Sequence, residues 1–333
     1  MEKQLSVAVI GGGSWATALV KILSEQNILI HWWVRKEEDV EHILAYESNP
    51  RYASDIHINL TKVKPISDLK RAVELSSVLI LAVPSAFVKE VLLSLDKESY
   101  QNKIIVSGIK GMIPHENKLI TDFLSSEFGV KPEKLCIIAG PCHSEEVAME
   151  KKSYLTIGAS DLETGKTVAG LLSCRFVKSS VSLDLYGIEY AAIMKNIIAI
   201  ACGITHGLNY GDNFQAVLVS NAMQEISRFV NALHPSDHRI VCSSAFLGDL
   251  LVTSYSQFSR NRTFGNMIGR GYSVKSAQIE MNMVAEGYYA VKGINEINKD
   301  LSIDMPIIKA VYNILYEKTS PVTEIRIMES KLT

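Results

Sequence analysis

The chain has 333 residues, 47% of them hydrophobic and 21% charged, with 34 Lys and Arg against 36 Asp and Glu for a formal charge of −2. At about 150 residues per domain this is enough for roughly two cores, and the near-neutral balance gives no whole-chain attraction to nucleic acid or to an anionic membrane. Five dispersed cysteines (Cys136, Cys142, Cys174, Cys202 and Cys242) form no CxxC pair and no metal-site spacing with histidine, which fits reduced, buried thiols in a cytoplasmic protein that binds no metal.

The N-terminal MEKQLSVAVIGGG runs straight into a strand, without the apolar region of a signal peptide. No uninterrupted apolar run reaches the roughly 20 residues of a membrane helix; the longest candidate, 191–204, is interrupted by Lys195 and Asn196. A soluble protein is therefore expected.

In chain order, the apolar run 5–10 reads as a strand and 15–26 as a helix. Between them Gly11, Gly13 and Ala16 occupy the G-x-G-x-x-G/A spacing of a dinucleotide-binding turn. Gly11 permits the tight turn, Gly13 lets backbone approach a pyrophosphate, and Ala16 lets the helix pack close to the strand. The anion is expected at the helix N-terminus, on free amide groups and the positive end of the helix dipole. A glycine-rich corner with no ligand is the plain alternative.

The next strand, 28–34, ends at Val34, followed by Arg35 and Lys36. An NAD site usually carries an acidic residue here for the ribose 2′-hydroxyl. Two cations suit a 2′-phosphate and favour NADP, while Glu37 and Glu38 just beyond leave the choice of NAD open.

Strands are expected at 78–83, 103–109, 134–140, 154–159 and 175–180. They are short and apolar without alternation, as in parallel sheets covered on both faces. Three of them end in turns placed where open α/β sheets bind ligands. These carry Pro84 and Ser85, then Lys110, then Gly140, Pro141, Cys142 and Ser144.

From about residue 184 the pattern turns helical, over 187–208, 214–233, 283–301 and 306–317. The expected fold is α/β: a Rossmann-like, doubly wound, mostly parallel sheet in residues 1–183, then an all-helical substrate-binding domain in 184–333.

In helix 187–208 only Lys195 and Asn196 are polar between Tyr190 and Ala201, so the helix reads as buried. A buried ammonium needs a partner, and burial lowers its pKa toward that of a useful proton donor. A structural Lys–Asp pair is the other reading. Asp249, in a Gly-Asp-Leu turn, is the available carboxylate. Ser259, Arg260, Asn261 and Arg262 follow as a phosphate-sized set of donors or an exposed basic loop. Glu286 opens a later helix.

Together these stretches resemble the bacterial NAD(P)-dependent glycerol-3-phosphate dehydrogenase family. The resemblance rests on GGGSWATAL (11–19), VPS (83–85), KG (110–111), AGP (139–141), KNIIAIACGI (195–204), GLNYG (207–211), LGDL (247–250), SRNRTFG (259–265) and EGY (286–288). It implies reduction of dihydroxyacetone phosphate to sn-glycerol 3-phosphate by NADPH or NADH, serving glycerophospholipid synthesis, in a homodimer. It implies Lys195 as general acid/base, with Lys110 and Asp249 orienting the reacting groups. Lys110, Gly140, Cys142, Lys195, Asn196, Asp249, Ser259, Arg260 and Asn261 are then substrate residues. Gly11, Gly13, Ser14, Trp15, Arg35, Lys110, Ser144, Arg260, Val284 and Glu286 line the cofactor.

Two stretches depart from the family. Cys142-His143 stands for Ser/Thr-Phe, and Val219-Ser220-Asn221 for Thr-Arg-Gly. A thiol is the weaker donor, so a substrate contact from Cys142 is in doubt. A related ketopantoate reductase or hydroxyacid dehydrogenase is the competing reading; its substrates carry a carboxylate, whereas SRNRTFG suits a phosphate. A nucleotide-binding regulator without turnover is a third.

Overall fold

The computed structural model describes residues 5–281 and 285–333. The chain forms two compact units: residues up to Ile109 with Ile120–Leu185, and Lys110–Leu119 with Tyr186 onward.

In the first unit strands and helices alternate: β1 (Ser6–Ile10), α1 (Ser14–Ser24), β2 (Leu29–Trp33), α2 (Glu37–Tyr46), β3 (Val63–Ile66), α3 (Leu69–Glu74), β4 (Val78–Leu81) and α4 (Ser85–Leu93). Then come β5 (Ile104–Ser107), α5 (Ile120–Phe128), β6 (Leu135–Ala139), α6 (Ser144–Ala148), β7 (Ser153–Ala159), α7 (Leu162–Leu171) and β8 (Val177–Ser182). They build one eight-stranded sheet in the order β3-β2-β1-β4-β5-β6-β7-β8. β1 lies between β2 and β4, with Val7 paired to Ile30 on one side and Val78 on the other. The order reverses beside β1, so β1 and β4 flank the switch point where doubly wound sheets bind ligands. Val7, Val9, Ile30, Ile80 and Val106 are buried, as a sheet covered on both faces requires.

Two features were not legible beforehand. β3 is only four residues, VKPI, and holds the edge position that its proline demands. β7 pairs antiparallel to β6, and apolar patterning does not encode strand direction.

The second unit is helical: α8 (Leu185–Gly207), α9 (Asp212–Leu233), a π-type turn (Ser244–Gly248), α10 (Asp249–Tyr255), α11 (Arg260–Gly269), α12 (Val274–Glu280), α13 (Glu286–Leu301), α14 (Pro306–Leu315) and α15 (Pro321–Glu329). Among the described residues no strand follows β8. The supposed turn and loop over 246–265 are therefore largely helix, with Asp249 opening α10 and Ser259 capping α11 by accepting from the Arg262 amide (3.3 Å). α8 matches the helix expected at 187–208 to within two residues and by length and composition alone passes for a membrane span; its most apolar window is wholly buried inside the protein.

Glycines let the helices meet at backbone distance. A Cβ on Gly203 would stand 2.1 Å from the Arg262 carbonyl oxygen, and one on Gly265 2.1 Å from that of Ile200. One on Gly287 would stand 2.5 Å from the Asn196 oxygen. These seams lay α11 and α13 directly on α8.

A boundary placed near residue 183 does not foresee that Lys110–Leu119 belongs with the helices. Asn196 Nδ2 donates to the Lys110 carbonyl (3.1 Å), and the backbone of α13 at Gly293 closes on Met112 and Asn117. An isolated bridge between Ile113 and Lys118 folds the segment back on itself.

On α9, buried Glu225 accepts from the amides of Ile307 (2.7 Å) and Ile308 (3.2 Å) at the start of α14. Those bonds favour the carboxylate, but burial wins and pushes its pKa from 4.5 up to about 7. A raised carboxyl contributes stability in full below its unfolded value, and that contribution is lost as pH rises toward about 7. The variant Glu225→Gln is therefore expected to gain melting temperature relative to the parent as pH rises from about 5 to about 8. A difference between the two melts that does not change with pH would exclude this.

Candidate active site

In the first unit the turn after β1 is held by side chains the sequence did not point to. Trp32 Nε1 donates to the Gly11 carbonyl (2.7 Å), Asn49 Nδ2 to that of Gly12 (3.0 Å), and Thr17 Oγ1 to that of Gly13 (3.0 Å). Asn49 also bonds Thr17 (2.9 Å). With these carbonyls engaged, the first turn of α1 supplies the amides at the polar face of the turn. Gly11 has φ +142°, and a Cβ there would lie 2.6 Å from the Ala82 oxygen at the end of β4. At Gly13 a Cβ would meet nothing within 4 Å. α1 has no side-chain cap and no acidic residue in its first turn. An open approach, uncapped amides and a positive dipole end fit a pyrophosphate. Trp32 has a sequence signal, an inward position on the strand beside the turn; Asn49 has none.

Trp15 rests on the backbone after β5: a Cβ on Gly108 would stand 2.8 Å from its indole nitrogen. Past β2, Arg35 and Lys36 are exposed, and their side chains make no hydrogen bond or ion pair among the described residues. Two of the three nearby carboxylates are engaged elsewhere, Glu37 by Ser67 and Asp39 by Arg51 (2.9 Å), while Glu38 is exposed. Two exposed cations thus follow the end of β2.

Gly140 ends β6 at φ +104°, where a Cβ would stand 2.7 Å from the Tyr154 oxygen. Ser144 opens α6 and donates to Glu145 (3.0 Å). Cys142 is buried within the unit's apolar core. Its side chain packs among apolar neighbours there.

In the second unit Lys195 sits mid-way along α8 with only 4% of its surface exposed. Its Nζ donates to Asp249 Oδ1 in a short contact. Lys110 Nζ lies 3.9 Å from the other oxygen of the same carboxylate. Asp249 is 1% exposed, so two ammonium groups share one desolvated carboxylate. Burial lowers the Lys195 pKa far below the usual lysine range; Asp249 opposes the shift and the second cation, Lys110, adds to it. Thr253, missed in the sequence although it stands one helical turn from Asp249, donates to the Asp249 carbonyl (2.6 Å). Asn196 fixes Lys110 through its backbone, so Lys110, Lys195, Asn196 and Asp249 form one connected group.

The Ser-Arg-Asn-Arg stretch does not act as one clamp. It winds into the first turn of α11, and successive helical residues point about 100° apart. Arg260 is exposed and makes no hydrogen bond or ion pair among the described residues. Asn261 turns inward, its oxygen accepting from the Gly287 amide at the start of α13 (2.9 Å). Arg262 points into the helical bundle near Cys202. Glu286 opens α13, where a carboxylate suits the helix dipole. Val284 lies outside the described residues.

Residues 6–165 match the family model for the N-terminal part of NAD-dependent glycerol-3-phosphate dehydrogenase, and residues 184–326 match the model for its C-terminal part. The chain belongs to that family. The glycerol-3-phosphate dehydrogenase [NAD(P)+] of Clostridium botulinum is 33% identical over 328 residues, 98% of each chain. The solved glycerol-3-phosphate dehydrogenase of Coxiella burnetii superposes with a TM-score of 0.91 at 27% identity, covering 98% of this chain and 99% of its own. A ketopantoate reductase of Ralstonia eutropha reaches 0.59 at 16% identity, over 98% of this chain and 99% of its own, which is a likeness of fold alone.

Membership makes the chain an oxidoreductase that works with NAD(P) on glycerol 3-phosphate. Where the family carries Thr-Arg-Gly, Asn221 has a local task of its own. It donates to the carbonyls of Val217 (3.0 Å) and Thr333 (2.9 Å) and accepts from the Thr333 amide (3.2 Å).

Removing one member of a buried ion pair leaves the other charge stranded, at a cost of about 3–5 kcal/mol. Asp249→Asn is therefore expected to lower the stability measured by denaturant unfolding by about that amount. The double variant Lys195→Met, Asp249→Leu is expected to recover most of the loss. Equal stability of Asp249→Asn and the parent would rule out a tight charged pair.

Proposed function

We propose that the chain reduces dihydroxyacetone phosphate to sn-glycerol 3-phosphate, with NADPH favoured over NADH and Lys195 as the acid that protonates the carbonyl oxygen. The observation that carries this reading is the buried Lys195–Asp249 pair with Lys110 on the second carboxylate oxygen. A bound nicotinamide would supply the hydride for the carbonyl carbon. The remaining tasks fall to the protein.

Lys195 holds a proton on Nζ, and its lowered pKa makes that proton transferable near neutral pH. Asp249 keeps the amine in one position and stabilises its charged form before transfer. Lys110 adds positive charge, which favours the developing alkoxide. The proton passes from Nζ to the oxygen, leaving a secondary alcohol and a neutral amine. In the reverse reaction the neutral amine takes the proton back. Reduction should accordingly weaken, and oxidation strengthen, as pH rises through the lowered Lys195 value.

Arg260 is assigned to the substrate phosphate. An arginine at the first position of a helix is unfavourable to the dipole, and α11 has no acidic residue in its first turn to offset it. Cation and free amides together attract a doubly charged anion. In the first unit, the Gly11–Gly13 turn and the α1 amides would hold the pyrophosphate, and Arg35 and Lys36 a 2′-phosphate. Ser144 and Glu286 are assigned to the remainder of the cofactor, and Gly140, Asn196, Ser259 and Asn261 to shaping the substrate site. The family resemblance supports a cytoplasmic homodimer whose product enters glycerophospholipid synthesis.

The deciding assay follows NADPH oxidation with dihydroxyacetone phosphate, using ketopantoate as the control substrate. Lys195→Ala is expected to lose at least about 10²-fold in kcat, the scale of a lost proton transfer, while still binding NADPH as read by cofactor fluorescence. Near-parental turnover would remove Lys195 from the chemistry. Arg35→Asp is expected to shift the NADPH/NADH ratio of kcat/KM by tenfold or more toward NADH, about the value of one charge-assisted contact. An unmoved ratio would remove Arg35 from cofactor selection.

A further inference from the structure

Beyond the catalytic group, the helical unit holds a second polar cluster that the reaction does not use. Cys202 on α8, Gln215 in the first turn of α9, Ser254 on α10, and Arg262 and Asn266 on α11 converge. The Ser254 hydroxyl, the Gln215 amide and the Arg262 charge all bear on the Cys202 thiol. Asn266 lies one turn beyond Arg262 on the same seam, where the backbone of Gly203 meets both residues.

We propose that this cluster binds a small oxyanion of the phosphate class. Four of its buried polar atoms lack a nitrogen or oxygen hydrogen-bond partner in the protein: Gln215 Nε2 and Ser254 Oγ, which reach only the weakly accepting Cys202 thiol, and Arg262 Nε and Asn266 Oδ1. Ser254 is fully buried. A buried polar group without a partner is costly, and native chains rarely leave several in one place. Three of the four can donate, and they come from three different helices, α9, α10 and α11.

The charge count points the same way. Arg262 makes no ion pair with any described carboxylate. Burial pushes the Cys202 thiol up to about 11, so no thiolate balances the guanidinium near neutral pH. Asp212 is exposed at the head of α9 and acts on Tyr255 without pairing to Arg262. An uncapped helix supplies further free amides, since Gly211 gives α9 no side-chain cap. The single acceptor, Asn266 Oδ1, suits a protonated oxygen of a monohydrogen anion. An anion here would tie together α8, α9, α10 and α11, the helices that carry Lys195, Asp249 and Arg260.

The test is isothermal titration of inorganic phosphate into the full chain carrying Arg260→Ala, which removes the guanidinium assigned to the substrate phosphate. One phosphate is expected to bind still. Adding Ser254→Ala and Gln215→Leu should weaken that binding by tenfold or more, as expected for lost bonds to a charged ligand. Repeating the titration with sn-glycerol 3-phosphate tells a free anion from the head of an ester: binding by both marks a site open to esters, binding by inorganic phosphate alone an enclosed one. With Arg260 intact, Ser254→Ala, Gln215→Leu should keep parental turnover in phosphate-free buffer, which shows that the helices remain folded. No phosphate binding in Arg260→Ala, or binding unchanged by the added substitutions, overturns the proposal. The titration reads no turnover, so its failure is distinct from failure of the Lys195 assignment.

Discussion

The helical unit is organised around a charged pair withdrawn from water. Lys195 and Asp249 are both nearly inaccessible, and neither is tolerable there without the other. Taking both charges out of water costs more than an apolar pair of similar size would, so the arrangement is hard to justify by stability alone. Its yield is an amine with a fixed position and a proton held less tightly than usual. Asp249 sits at the head of α10, just after a π-type turn, an irregular backbone often found at functional sites.

The surrounding packing serves that geometry. Backbone-to-backbone contact at Gly203, Gly265 and Gly287 leaves α11 and α13 little freedom to slide along α8. Arg260 and the head of α13 are thereby placed by contacts too tight for any side chain. In the first unit the same economy holds the glycine turn, where Trp32 and Asn49 occupy its carbonyls.

Much of this was readable from local chemistry. The glycine turn, the cationic end of β2 and the lone lysine in an apolar helix each express a physical conflict that short sequence stretches reveal. What stayed hidden depends on partners distant in sequence. Asn49 lies far from the turn it braces, and the inward aim of Arg262 follows from helical winding over a stretch that reads as loop. Cys142 looked like a ligand-side residue because its neighbours are turn-forming, and its burial depends on strands and helices drawn from across the first unit. The reversed direction of β7 leaves no trace in an apolar pattern.

The excursion of Lys110–Leu119 into the helical unit bears on how such chains recombine. A gene crossover near residue 183 would exchange contiguous halves, yet it would deliver Lys110 from one parent and the α8 and α13 surfaces that grip its segment from another. Shuffled offspring would inherit a mismatched lysine beside the buried Asp249 carboxylate. Natural exchange between relatives should therefore favour breakpoints that carry this ten-residue insert along with the helices, or avoid the junction altogether.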